Sequence, residues 1–148
     1  MKFEMLKPDF TANVWALILA VIPVVIVIFV VIMVFSAWKY TLEIKDGQLT
    51  IKSLFYNTRL DIADIDAAGA KVVSLKRDGI KIKWRTNGIG LPGLSVGWFR
   101  GEGGKYKMYV TDQDQVLLLP TRKGYTILFS TGQGAAIIKE LRQAQGLL

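Results

Sequence analysis

Residues 40–65, YTLEIKDGQLTIKSLFYNTRLDIADI, decide the class of fold to expect. Polar and apolar residues alternate from Trp38 to Ile44, a turn sequence follows at residues 45–47, and a second strand is expected at Gln48–Ser53. Strand side chains alternate between the two faces of a sheet, so this pattern predicts an antiparallel hairpin. A third short strand is expected at Thr58–Asp61.

More strands are predicted toward the C-terminus. Lys71–Lys76 and Ile80–Arg85 flank Asp78 and Gly79, a pair that accepts positive φ, so a second hairpin is expected there. Three further strands are expected at Lys105–Thr111, Val116–Leu119 and Tyr125–Phe129, with a turn at residues 122–124 between the last two.

One amphipathic helix is expected after these strands. Ser130 or Thr131 is suited to cap its N-terminus. Its apolar stripe comprises Ala135, Ile138, Leu141 and Ala144 or Gln145. This spacing buries one helix face. The fold class is therefore mainly β: about seven antiparallel strands over residues 38–148, closed by a C-terminal α-helix.

An apolar segment precedes this domain. Val14–Phe35, VWALILAVIPVVIVIFVVIMVF, contains no charged residue and is long enough to cross a bilayer as a helix. A transmembrane helix is expected at residues 14–37, after a short tail at residues 1–13. Phe35 at the outer position of VFSA disfavours a cleaved signal peptide, and the absence of a polar stripe disfavours a buried core helix.

Aromatic residues and charges flank the apolar segment. Trp15 at one end, and Trp38 and Tyr40 at the other, are residue types that favour the membrane interface. The flanking lysines are Lys2 and Lys7 before the segment and Lys39, Lys45 and Lys52 after it. This small excess favours a cytoplasmic position for the C-terminal domain.

The composition excludes most catalytic chemistry. The chain has no cysteine and no histidine, which removes disulfides, thiolates, imidazole bases and nearly every zinc site. An enzyme would depend on carboxylates, and the candidates are Asp61, Asp64, Asp66, Asp112 and Asp114. All of them sit in sequences typical of turns. We expect no enzyme activity, no metal and no cofactor.

A glycine-rich stretch, TNGIGLPGLSVGWFRGEGGKYKMYV, occupies residues 86–110. Glycine at this density indicates bends, bulges or close backbone contacts. Its spacing matches neither dinucleotide-binding nor P-loop motifs, so a nucleotide site is not expected. Trp98 and Phe99 within it either close the core or form an exposed interface to a protein partner.

The net charge of +7 lies in the C-terminal domain, because the charges of the N-terminal tail cancel. In the strand at 80–85, Ile80, Ile82 and Trp84 are expected on a core face and the intervening cations on the other. Such cations either protect a solvated edge or face lipid or a partner. The candidate binding residues are Lys76, Arg77, Lys81, Lys83, Arg85, Arg100, Lys105, Lys107, Arg122 and Lys123.

Three blocks together resemble bacterial pleckstrin-homology-like (PH-like) domains: residues 40–65, the glycine block from Thr86 through Phe99, and VLLLPTRKGYTILFS at 116–130. The resemblance covers nearly all of residues 38–145. It implies a PH-like barrel or sandwich, and the family is often fused to transmembrane segments. A single-pass protein of the bacterial inner membrane is therefore expected. A clustered-arginine inositide motif is absent from the first hairpin.

The expected function is a membrane-anchored, non-enzymatic binding module that engages a partner protein or anionic lipid head groups. The alternative is a structural or assembly subunit of a bacterial membrane protein complex. No motif indicates nucleic-acid binding. Membrane lipid and a protein partner are the expected partners.

Overall fold

The computed structural model describes residues 1–6, 10–37 and 39–148. The chain forms two compact units, residues 1–37 and residues 38–148. Trp38, which the sequence places at the membrane interface, and Lys7 of the N-terminal flank lie outside the described residues.

The first unit contains one long helix, α1, at Phe10–Ala37. It runs through Pro23 without interruption. Its segment Asn13–Ser36 is long and apolar enough to cross a membrane, and none of it is buried inside protein. Trp15, near its N-terminal end, is exposed.

The second unit begins with a small antiparallel sheet in the order β1-β2-β3. Its strands are β1 (Thr41–Lys45), β2 (Gln48–Lys52) and β3 (Thr58–Asp61). Thr41 pairs with Lys52 and Lys45 with Gln48, so the predicted first hairpin and third strand are confirmed. Asp46 and Gly47 both have positive φ, as a two-residue hairpin turn requires.

The larger sheet has six strands in the order β4-β8-β9-β7-β6-β5. All neighbours are antiparallel except β7 and β9, which are parallel. The strands are β4 (Lys71–Val73), β5 (Ile82–Leu91), β6 (Leu94–Gly101), β7 (Gly104–Val110), β8 (Val116–Pro120) and β9 (Tyr125–Ser130). The unit is thus mainly β, as predicted, with nine strands rather than about seven.

Apolar side chains are buried on both faces of the larger sheet. One face carries a cluster that includes Phe99, Met108 and Leu128, against which Ile80 and Ile82 pack. Alternation places Tyr109 and Ile127 on the opposite face, where both are almost completely buried. Each face of the sheet therefore has its own core.

The C-terminal helix α2 spans Gly134–Ala144 and buries Ile138 and Leu141, as its spacing predicted. Ala135 and Ala144 are exposed. The predicted cap is wrong: the N-cap position is Gln133, with no side-chain cap. The Ser130 hydroxyl instead accepts from the backbone N–H groups of Thr111 and Asp112, so it joins strand ends rather than capping a helix.

The predicted second hairpin is also wrong. β4 and β5 lie at opposite edges of the six-stranded sheet and do not pair. The Asp78 carboxylate accepts from the Ser74 backbone N–H at 2.7 Å, and the Asp78 backbone N–H donates to the Ser74 carbonyl oxygen at 2.9 Å. These bonds close a wide turn, from which the chain leaves toward the far edge of the sheet.

The glycine-rich stretch forms strands β5 to β7, and β6 is a strand that the sequence analysis missed. The predicted close contacts and bulges are present. Gly88 and Gly97 face each other, and a Cβ on Gly97 would lie 2.6 Å from the Gly88 Cα. A bulge between Ile82 and Trp84 shifts the register. Trp84 is consequently 54% exposed rather than buried.

Candidate functional site

A groove opens on one face of the six-stranded sheet, at the end where β5, β6, β7 and β9 meet. It encloses a volume of about 580 Å³. We call it the aromatic–basic groove, and it is lined by Thr86, Asn87, Trp98, Phe99, Arg100, Lys105, Lys123, Gly124 and Tyr125.

Strand pairing brings the groove side chains together. Arg100 of β6 is paired with Lys105 of β7, which lies beside Tyr125 of β9. One row further along the strands, Trp98 lies between Asn87 and Lys107. Paired residues project to the same face of a sheet, so aromatic and cationic side chains alternate across this surface.

Trp98 forms the aromatic centre of the groove. Its ring packs edge-on against Tyr125, with 4.9 Å between ring centroids. The Lys107 ammonium lies 5.1 Å from the Trp98 ring centroid, within cation–π distance. Phe99, the next residue, is buried in the core cluster. Of the two roles considered for these aromatics, Phe99 therefore closes the core, whereas Trp98 is half-buried and remains accessible to a partner.

The groove is electropositive, because none of its lining residues is acidic. Lys123 is neutralised by Asp64, with 3.1 Å between the charged atoms, and this pairing raises the pKa of Lys123. Partial burial lowers the pKa of Lys107 and raises that of Tyr125. Within residues 39–148, no ion pair involves Arg100 or Lys105. These two cations are available to an anionic ligand.

The other predicted binding cations are exposed but lie outside the groove lining. Lys76 and Arg77 belong to the wide turn before β5. Lys81 precedes β5, Lys83 lies at its first bulge, and Arg85 is paired with Phe99. Arg122 lines a separate depression beside Gly47 and Leu147. Arg100, Lys105 and Lys123 line the groove, and Lys107 lies over the Trp98 ring beside them.

Asn87, Thr86 and Tyr125 are groove residues that the sequence analysis did not identify. Their positions depend on a second bulge, between Arg85 and Asn87, and on the parallel pairing of β7 with β9. A signal for part of the groove was present in the sequence. Trp98 and Arg100 are two residues apart, as are Lys105 and Lys107, so each pair lies on one face of its strand.

The carboxylates considered for catalysis have structural partners. Asp66 accepts from the Gly69 N–H, Asp112 from the Asp114 N–H, and Asp114 from the Ser74 hydroxyl. Asp61 accepts from the Gln48 amide. In the described part of the chain, no three carboxylates converge as metal ligands would.

Tyr40, a predicted membrane-interface residue, belongs to the second unit. Its ring lies 5.9 Å from the ring of Tyr109, edge-on. Burial raises the pKa of Tyr40 to about 12. Its phenol is therefore partly shielded from water by the domain itself.

Comparison with known protein families matches residues 39–145 to the family described as Bacterial PH domain. Searches of curated proteins and of solved structures found no match. The match covers both sheets and the whole of α2. The chain therefore belongs to the bacterial PH domain family.

Proposed function

We propose that this protein is a single-pass membrane protein whose PH domain is a non-enzymatic binding module for the phosphates of anionic lipid head groups. Arg100 and Lys105, two cations without ion pairs among residues 39–148, lie beside Trp98 and Tyr125 in a groove without acidic lining, and they carry this proposal. The apolar α1 supplies the anchor.

The chemistry of the groove suits a phosphate at a membrane surface. Guanidinium and ammonium groups form charge-assisted hydrogen bonds with phosphate oxygens. Tryptophan and tyrosine favour the head-group level of a bilayer because one end of each side chain is apolar and the other polar. The side chains of Thr86 and Asn87 add uncharged hydrogen-bonding groups to the lining. Together these residues offer contacts to both the charged and the uncharged parts of a head group.

The net charge of +7 suits a domain beside an anionic membrane surface, and the lysines that flank the apolar segment favour the cytoplasmic side of a bacterial inner membrane. Anionic lipids attract basic residues near the surface by roughly 1 kcal/mol per Lys or Arg. A domain tethered to that surface meets head groups at high local concentration. Even a modest intrinsic affinity then gives substantial occupancy.

Short-chain lipids provide a direct test with the full chain in neutral detergent micelles. Dihexanoyl phosphatidylglycerol is titrated against dihexanoyl phosphatidylcholine, and bound lipid is counted by native mass spectrometry. Wild-type protein is expected to prefer phosphatidylglycerol. The double variant Arg100→Gln, Lys105→Gln is expected to lose about 2 kcal/mol of that preference, or roughly 30-fold.

The matched control is Lys76→Gln, Arg77→Gln, which removes the same charge from an exposed turn outside the groove. It should retain most of the preference. Equal losses in the two double variants would mean that net charge, rather than the groove, attracts the lipid. If wild-type protein showed no preference, the carboxylates of an acidic protein segment would become the better candidate ligand, as in an assembly subunit.

A further inference from the structure

The loop between β2 and β3 exposes two large apolar side chains at its tip. Leu54 is 53% exposed and Phe55 48% exposed, and they are adjacent in sequence. Single exposed apolar residues are ordinary on protein surfaces, whereas contiguous ones often mark a binding surface. A loop that merely connected two strands would need neither.

This loop is held in shape by its own side chains. The Ser53 N–H donates to the Asn57 side-chain oxygen at 2.8 Å, and the Tyr56 N–H donates to the Ser53 hydroxyl at 2.8 Å. The Tyr56 carbonyl accepts from the Tyr109 hydroxyl at 2.6 Å. With its base fixed at both ends, the loop presents Leu54 and Phe55 outward instead of folding them onto the domain.

The loop lies at the end of the small sheet where the chain enters the domain. Thr41 is paired with Lys52, the residue before the loop, so the Asp46–Gly47 turn lies at the opposite end of the hairpin. Tyr40 contacts the Tyr109 ring, and the Tyr109 hydroxyl binds the loop backbone. The loop and the entry point of the chain therefore share one end of the domain.

That entry point is close in sequence to the apolar helix. Tyr40 follows Ala37, the last residue of α1, by three positions. Three extended residues span at most about 11 Å. If α1 crosses a bilayer, the chain enters the domain within reach of the head-group layer.

We propose that Leu54 and Phe55 insert into the interfacial region of the bilayer and give the domain a second, apolar membrane contact. This inference rests on the membrane anchor of the proposed function but not on lipid binding in the groove. The loop sequence Ser-Leu-Phe-Tyr-Asn contains no carboxylate that would oppose insertion. Aromatic and aliphatic side chains are those that partition into this layer.

The loop also borders the aromatic–basic groove. The Tyr56 hydroxyl donates to the side-chain oxygen of Asn87 at 3.2 Å, and Asn87 lines the groove. Insertion of Leu54 and Phe55 thus brings one rim of the groove to the head-group layer. The two surfaces act on different parts of a lipid, the loop on its acyl boundary and the groove on its phosphate.

Site-specific fluorescence tests this inference, because the natural chain has no cysteine. Leu54→Cys and Phe55→Cys are labelled with an environment-sensitive nitrobenzoxadiazole dye in the full chain and reconstituted into nanodiscs of phosphatidylcholine. Lipids that carry a quencher on the acyl chain are then added. We expect a blue-shifted emission and loss of most of the fluorescence at both positions.

The matched controls are Asp46→Cys, at the far end of the same hairpin, and Leu147→Cys, which is apolar and 51% exposed beside Gly47. Both should keep water-like emission with little quenching. Equal quenching at the loop and control positions, or none at the loop, would overturn the proposed insertion.

Two further readouts separate the loop from the rest of the proposed function. The substitutions Arg100→Gln and Lys105→Gln, added to Leu54→Cys, should leave the quenching unchanged, because phosphatidylcholine carries no net charge. Loss of quenching on that background would contradict an independent apolar contact. A chain that fails to co-elute with nanodiscs would refute the anchor and, with it, the insertion.

Discussion

The hydroxyl of Tyr109 lies 2.6 Å from the backbone oxygen of Tyr56 and donates its hydrogen to it. A phenol has one proton, so the Thr58 hydroxyl, 2.6 Å away, must be the donor in its own bond with Tyr109. One side chain of the larger sheet thereby fixes both the loop that carries Leu54 and Phe55 and the first residue of β3.

Tyr109→Phe is expected to destabilise the domain. It removes two hydrogen bonds and leaves the Thr58 hydroxyl, on a residue only 4% exposed, without a partner. An unsatisfied buried polar group costs about 1–3 kcal/mol. Urea unfolding of the full chain in detergent, followed by near-ultraviolet circular dichroism, measures the loss. Tyr106→Phe on the same strand is the control, and a loss there as large as at Tyr109 would contradict the special role of this phenol.

Alkaline pH should destabilise the domain through its shielded phenols. Burial raises the pKa of Tyr109 from the usual 10 to about 12, and burial does the same for Tyr40. Between these values the unfolded state loses the phenolic protons while the folded state keeps them. Their contribution is therefore fully present below pH 10 and is lost as the pH rises to about 12.

Absorbance at the tyrosinate band, followed during a pH titration, checks this expectation. Burial lowers the pKa of Lys107 below its usual 10.5, so its contribution to stability rises with pH up to that value and does not mask the loss from the phenols above it. Tyr109→Phe should remove one of the late-ionising groups and flatten the pH dependence of stability. If all phenols ionised together near 10, the shielding of Tyr40 and Tyr109 would be refuted.

Gly97→Ala is expected to disrupt the β5–β6 pair. Gly97 has φ +114°, and an added Cβ would collide with the Asn87 oxygen and lie 2.6 Å from the Gly88 Cα. Overpacking of this kind costs about 1–3 kcal/mol, in addition to the strain of the backbone. Gly90→Ala on β5 is the control, because its Cβ would meet nothing closer than 3.6 Å. Thermal unfolding of the two variants should differ clearly, and similar melting temperatures would count against the close contact.

The alternation of polar and apolar residues correctly predicted strand pairing where the paired strands are adjacent in sequence. The β1–β2 hairpin combines strict alternation with a turn at Asp46–Gly47, so its register follows from adjacent residues. The same reasoning failed at Asp78–Gly79, because the Asp78 carboxylate is used to close a turn and the two strands find distant partners. Pairing of β4 with β8, and of β7 with β9, depends on burial in the whole sheet.

The candidate site was predictable to a similar extent. Arg100, Lys105, Lys107 and Lys123 were among the candidate cations, since charge can be read from the sequence. Which of the ten candidate cations lie at the groove could not be predicted. Bulges in β5 decide this, because they turn Trp84 outward and pair Arg85 with the core residue Phe99. Neither bulge has a unique sequence pattern.

The C-terminal helix supplies the last prediction, because polar side chains at its end donate to backbone carbonyls of residues 62–70, a segment with a short 3-10 helix at Ile62–Asp64. The Arg142 guanidinium donates to the carbonyl oxygens of Ala67, at 3.1 Å, and Ala70, at 3.3 Å. Gln145 donates to the oxygens of Ile62 and Ile65, both at 2.6 Å. The end of α2 thus supplies further donors to carbonyl groups of this segment, in addition to the β-bridge between Ile65 and Thr121.

Arg142→Lys is expected to loosen this segment although it preserves the charge. An ammonium group is compact and lacks the planar fork that reaches several carbonyls at once, so buried acceptors lose partners at a cost of about 1–3 kcal/mol. Amide hydrogen exchange across residues 62–70 should accelerate, while exchange in β6 and β7 stays slow. Lys139→Gln, at an exposed position on the same helix, is the control. Unchanged exchange in the Arg142 variant would show that packing of Ile138 and Leu141 alone holds the helix and the segment together.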